Sequence, residues 1–187
     1  MDDLFEMNLV NLDPFTENFN PQFYFQYLTE WPFLFFKSVE IGKDFGQEYE
    51  PSGYMMGKNE GKLSKMEWHT HITAVTINYY YRRIGLASDM CLQLEKLVKD
   101  EPYETLFIDL FVRTTNKVAQ QLYEKLGYSI YRRVVGYYGG EMPTDRNKID
   151  DAVDAFDMRK LLPRDTKNET VRHDGHLHYV FPYEVVF

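Results

Sequence analysis

The sequence predicts a mixed α/β domain built around one central sheet, and three observations carry that reading. First, the β-branched, alternating run Thr73-Ala74-Val75-Thr76-Ile77 stops at basic residues and a glycine, Arg82-Arg83-Ile84-Gly85, and an amphipathic helix begins at once. Second, strand-like and helix-like segments alternate along the rest of the chain, after helices at its start. Third, a chain of 187 residues with 44% hydrophobic and 17% aromatic residues can bury one full core.

Each element follows from its local signals. Asp13-Pro14 reads as an N-cap followed by proline at the first helical position, and Asn20-Pro21 interrupts before a second helix, so two short helices join near Phe19 to Pro21. Phe33 to Glu40 and Gly53 to Lys58 read as strands around a Gly- and acid-rich turn at Gly42 to Pro51. A polar loop spans Asn59 to Glu67, and Trp68 to Asn78 forms a strand. Gly85 to Lys99 is helical, with Leu86, Met90, Leu94, Leu97 and Val98 on its apolar side and Cys91 beside them as a buried structural thiol. A strand at Glu104 to Val112 and a helix at Asn116 to Leu126 follow, the helix stopped by Gly127. Tyr128 to Val135 is a strand, Gly136 to Asp151 a long loop, and Ala152 to Leu161 a closing strand. Residues 1–162 are thus expected to form one domain. The segment 163–187 ends in the apolar run Leu177 to Phe187, a composition that docks on the domain or on a partner rather than staying disordered.

Two segments carry chemistry. A strand, a glycine turn and a helix N-terminus present unpaired amides and partial positive charge to an anion, and at Gly85 no Cβ obstructs a close ligand. Small Ala87 keeps the first turn open, so the expected ligand is a pyrophosphate. In the second segment Asn116, Ala119 and Tyr123 fall about one turn apart. One helix face therefore carries an amide, a gap and a phenol.

The pattern Arg-x-x-Gly-x-Ala, followed downstream by Asn116, Ala119 and Tyr123, resembles the acyl-CoA site of the GNAT superfamily of acetyltransferases. That resemblance implies a mixed sheet flanked by helices whose splayed central strands bind acetyl-CoA. It implies cofactor contacts from Val75, Ile77, Arg82, Arg83, Ile84, Gly85, Leu86, Ala87, Ser88, Asn116, Ala119 and Tyr123. The tyrosine pair Tyr137-Tyr138 between glycines, the segment Glu17-Asn18-Phe19, and His69-Thr70-His71-Ile72-Thr73 extend the likeness to catalytic subunits of N-terminal acetyltransferases. Asn11 to Glu17, Gln26-Tyr27-Leu28, Trp31-Pro32, Met56-Gly57-Lys58, Glu67-Trp68-His69, Asp109 to Arg113 and Asp154 to Lys160 resemble the NatB class over about residues 1–165. Phe19 departs from the tyrosine expected there, and a phenolic hydrogen bond is lost with it.

The NatB resemblance implies acetylation of the α-amine of Met in chains beginning Met-Asp, Met-Glu, Met-Asn or Met-Gln. It also implies a large helical-repeat auxiliary subunit, contact with the ribosome through that subunit, and a cytoplasmic setting. Substrate contacts are expected from Glu17, Phe19, His71, Thr73, Asn116, Tyr137 and Tyr138. A polar pocket for the second residue rejects apolar side chains because its own donors would be left unpaired. The amine attacks the thioester directly, with Glu17 or His71 as base acting directly or through one water, the Val75 amide facing the oxyanion and Tyr123 as acid for the departing thiol. Two alternatives stand: a GNAT enzyme acting on lysine side chains, small amines or other N-termini, and a non-catalytic acyl-CoA-binding module. A net charge of −8 argues against nucleic acid as partner, one cysteine permits no intrachain disulfide, and no apolar run approaches the ~20 residues of a membrane span. No metal is expected. Phe23, Tyr24, Phe25, Tyr27, Trp31, Phe33, Phe35 and Phe36 are expected to leave an exposed aromatic surface for the auxiliary subunit.

Overall fold

Seven strands form one mixed sheet, with the elements β1 (Phe35–Val39), β2 (Pro51–Glu60), β3 (His69–Ile77), β4 (Phe107–Arg113), β5 (Ser129–Val134), β6 (Ala155–Leu161) and β7 (Tyr179–Val180). Their hydrogen-bonded order is β1-β2-β3-β4-β6-β5-β7. The helices are α1 (Asn8–Asn11), α2 (Pro21–Glu30), α3 (Leu86–Val98) and α4 (Lys117–Lys125). This computed structural model describes residues 8–11, 18–40, 51–139, 144–145 and 148–185. The helix start read at Asp13-Pro14, the candidate base Glu17 and nearly all of the turn at 42–51 lie outside the described residues. None of the described helices is long and apolar enough to cross a membrane.

The chain divides into two units, residues 1–58 with 72–95, and residues 59–71 with 96–187. In the first, Asn20 caps α2 by accepting from the Phe23 amide at 2.9 Å, and Pro21 occupies the first turn, where its missing N–H costs nothing. The helix ends where the Trp31 amide returns to the Tyr27 carbonyl, and Pro32 follows in a 3₁₀ turn at Pro32–Leu34. That turn delays β1 by two residues relative to the expected strand start. β1 and β2 pair antiparallel, Phe35 opposite Met56 and Lys37 opposite Tyr54.

Six of the eight aromatics expected at the surface are buried or half-buried, which corrects the expected exposed surface. Tyr24, Tyr27 and Phe35 are buried with Val10, Tyr54 and Met56, and Phe19, Phe23, Leu28, Trp31 and Ala74 pack against them. Rings at positions 19, 23, 27 and 31 follow one another with centroids 4.6–5.1 Å apart, the first pair stacked and the other two tilted. A spacing of four residues puts Phe23 and Tyr27 on one side of α2, with Phe19 just before its N-cap and Trp31 at its C-cap. Of the eight aromatics only Phe25 and Phe33 remain exposed, at 38% and 73%.

In the second unit β4 and β6 are antiparallel from Phe107–Leu161 to Arg113–Ala155, and β6 pairs antiparallel with β5 across an irregularity between Ile130 and Arg132. β6 begins at Ala155, three residues later than expected, because Asp150 to Asp154 turns on itself through backbone bonds from Val153 and Asp154 to the Asp150 carbonyl. The C-terminal segment adds β7, parallel to β5, a pairing that the sequence reading did not include. Gly175 allows the preceding 3₁₀ turn to press on β5, since a Cβ there would collide with the Ile130 carbonyl.

Candidate functional site

In the first unit, β3 runs into a short 3₁₀ turn at Tyr79–Tyr81, capped by the Asn78 side chain, which accepts from the Tyr80 amide at 3.2 Å. Arg82 folds back so that its Nε donates to the Ile77 carbonyl at 2.9 Å, and its guanidinium lies 5.8 Å from the Tyr79 ring centroid. Part of this arginine therefore braces the turn that the sequence assigns to ligand contact. Arg83 and Gly85 both take left-handed backbone, φ +68° and +96°. The Asp89 amide bonds the Gly85 carbonyl to start α3, which leaves the amides of Gly85 to Ser88 without intrahelical partners. Leu86, Ala87 and Ser88 are half-buried, and Ile84 is exposed. Val75 and Ile77 are half-buried on β3, and Cys91 is buried in α3.

Two further predicted contacts sit in this unit. Thr73 is bonded through Oγ1 to the Tyr27 hydroxyl at 2.6 Å, a link between α2 and β3. Phe19 stacks on Phe23 at 4.6 Å and meets Tyr24 edge-on at 5.9 Å, so its ring is held by packing.

In the second unit Asn116 caps α4, its Oδ1 accepting from the Ala119 amide at 3.1 Å, and its side chain is exposed. Ala119 is half-buried, and Tyr123 is buried with its ring against Tyr128 at 5.5 Å. On β3, the His71 Nδ1 lies 2.9 Å from Oδ1 of the fully buried Asp109. The same oxygen is 3.5 Å from Nε2 of His69, which is also 3.6 Å from Glu60. The other His69 nitrogen meets the Glu67 carbonyl at 2.5 Å, and its ring stacks on Phe107 at 4.6 Å. Burial would raise the Asp109 pKa, but the positive fields of His71, His69 and Arg159 outweigh it and hold the carboxyl at about 2. Burial would lower His69, and Asp109 and Glu60 outweigh that to raise it. Facing an ionised carboxylate, His71 Nδ1 is the donor of this contact.

The tyrosine pair is held by the same unit. Tyr137 stacks on Phe111 at 4.7 Å, Tyr138 donates its amide to the Val153 carbonyl at 2.8 Å, and the Arg113 guanidinium covers the Tyr138 ring at 3.9 Å. The loop hangs on Asp154, fully buried, whose carboxylate accepts from the Gly136 amide at 2.7 Å and binds Arg133 at 2.7–2.8 Å.

A model of the acetyltransferase (GNAT) family matches residues 7–128. The catalytic subunit of the N-terminal acetyltransferase B complex of Saccharomyces cerevisiae is 54% identical over 188 residues, covering 99% of this chain and 95% of that protein. The chain belongs to the GNAT acetyltransferase family, among the NatB catalytic subunits. A solved NatB acetyltransferase complex bound to a bisubstrate inhibitor superposes with a TM-score of 0.87 at 62% identity, covering 100% of this chain and 96% of that one. Another, bound to CoA and MES, gives 0.70 at 63% identity and covers 87% and 95%.

The residues present fit the CoA of such GNAT proteins. A Cβ at Gly85 would meet nothing within 4 Å, so the glycine is required by its backbone angle and the adjoining amides stay approachable. Three functional candidates of this GNAT chain escaped the sequence reading: Asp109 as partner of His71, Asp154 as anchor of the tyrosine loop, and Tyr27 on Thr73. For the first there was a usable signal, since Asp109 interrupts an otherwise apolar run from Leu106 to Val112.

Proposed function

We propose that this chain is the catalytic subunit of a NatB-type complex in the cytoplasm, and that it acetylates the α-amine of Met in nascent chains beginning Met-Asp, Met-Glu, Met-Asn or Met-Gln. The observation that carries the reading is the turn between β3 and α3. There, left-handed Gly85 opens a helix whose first amides are unpaired, on a chain 54% identical to a NatB catalytic subunit. A large helical-repeat auxiliary subunit is the proposed partner and the link to the ribosome.

Acetyl-CoA, when bound, supplies the acetyl thioester. Arg82, Arg83 and the amides of Gly85 to Ser88 hold its pyrophosphate, with Val75, Ile77, Ile84, Asn116 and Ala119 as further contacts. The Val75 amide stabilises negative charge developing on the thioester oxygen, and Tyr123 protonates the departing sulfur. An α-amine has a pKa near ~8, so one modest base suffices. Of the two candidates, His71 is supported by the Asp109 contact, which leaves Nε2 as acceptor; Glu17 lies outside the described residues. Phe19, Tyr137 and Tyr138 contact the peptide terminus, and Thr73, Asn116 and Tyr138 supply donors to the second side chain. The test is acetylation by the complex of peptides that differ at the second residue, each with free or blocked α-amine. Activity confined to free Met-Asp, Met-Glu, Met-Asn and Met-Gln is expected. Lysine acetylation of blocked peptides, or no thiol release, would replace this reading by one of the alternatives.

A further inference from the structure

We propose that Asp109 is a positioning residue for the acetyl transfer, acting through His71: its buried carboxylate holds Nδ1–H so that Nε2 faces the incoming amine as an acceptor. The inference rests on the reading of His71 as base. It stands on geometry first. The carboxylate is fully buried on β4, 2.9 Å from Nδ1, and its second oxygen, Oδ2, has no hydrogen-bond partner among the described residues. Burying a carboxylate costs several kcal/mol, and replacing a buried ion pair by apolar residues is often neutral for stability. Stability alone therefore does not explain an Asp among Phe107, Ile108, Leu110 and Phe111.

The surroundings keep this carboxylate ionised. From β3 His69 and His71 face it, and the end of β2 contributes Glu60 on the far side of His69. On β6, Arg159 is its cross-strand neighbour, and Asp157 lies beside that arginine, which it contacts at 3.3 Å. Arg132 from β5 binds Asp157 at 2.7 Å and offsets that second carboxylate. His69, between Asp109 and Glu60, meets the same Oδ1 at 3.5 Å and so helps fix the carboxylate that His71 contacts. In the step itself the amine lone pair bonds the acetyl carbon, the C–S bond breaks, the departing sulfur takes a proton from Tyr123, and the proton of the broken amine N–H bond passes to Nε2. The resulting imidazolium stays paired with the Asp109 carboxylate until the proton leaves to solvent.

Asp109→Asn keeps the shape, but its amide can donate to Nδ1 and turn the ring to the other tautomer, with Nε2 protonated and unable to accept. In the complex with the auxiliary subunit, a Met-Asp peptide and acetyl-CoA, kcat is expected to fall by at least ~10²-fold, with KM for acetyl-CoA within about twofold. In a His71→Ala background the same change is expected to cost nothing further, because the two residues act as one unit. Unchanged kcat in Asp109→Asn, or an equal loss in both backgrounds, would overturn the proposal alone. A harmless His71→Ala would overturn the base reading and the proposal with it. If Asp109→Asn does not fold, nitrogen NMR of the histidine-labelled wild-type complex decides, with Nδ1–H on His71 expected and a neutral ring protonated at Nε2 overturning the idea.

Discussion

Gly85→Val puts a branched side chain where the backbone sits at φ +96°. Nothing lies within 4 Å of the added Cβ, so the cost is conformational rather than a clash. Holding a non-glycine residue in such a region costs about 1–3 kcal/mol. That free energy has two places to go. If the turn keeps its shape, stability drops by the full amount, and for a chain of this length the Tm falls by roughly 2–12 °C. If the turn relaxes to negative φ, stability is spared, but the amides of Gly85 to Ser88 rotate away from the pyrophosphate and acetyl-CoA binding weakens. The same 1–3 kcal/mol is then about 5- to 150-fold in Kd, and the branched side chain filling the approach adds to that loss. Calorimetric titration with acetyl-CoA and thermal denaturation of the same samples measure both terms. A folded variant with unchanged affinity and unchanged Tm would refute the assignment of this turn to the cofactor.

Three more outcomes are expected. Tyr123→Phe lowers kcat on the order of 10²-fold with little change in peptide affinity, checked by steady-state kinetics; an equal rate makes Tyr123 a packing residue. Asp154→Ala releases the Gly136 amide and Arg133, so the Tyr137–Tyr138 loop loosens and KM for peptide rises several-fold while KM for acetyl-CoA holds; parallel changes in both would refute a loop-specific role. His69 has its folded pKa raised above 6.5, so its contribution to stability is full below pH 6.5 and is lost as pH rises through the folded value. The Tm difference between wild type and His69→Gln should therefore shrink from pH 6 to pH 9, and a difference that grows over that interval contradicts the charged form.

Local signals made much of this protein legible. Period-two alternation marks β3, period-3.6 apolar spacing marks α3 and α4, and Asn20 and Asn116 cap their helices as short side-chain acceptors before a turn of unpaired amides. Gly85 shows in the sequence for the same reason, because a left-handed turn excludes most other residues. These features depend on neighbours a few positions away.

What escaped the sequence depends on residues brought together from afar. The aromatic count near α2 reads as an exposed surface until β1 and β2 supply Phe35, Tyr54 and Met56 to cover it. β7 is two residues long, and only its pairing with β5 identifies it as a strand. The partner of His71, Asp109, is 38 positions away and visible only once β3 and β4 are in place. Asp154 anchors Gly136 across 18 residues in the same way. Most of the elements, the left-handed turn at Gly85 and the family are legible from the sequence, since propensity, capping and backbone sterics act over a few residues. Which side chains are core, and which carboxylate meets His71, emerge only in the folded chain, since burial and pairing are set by strand register.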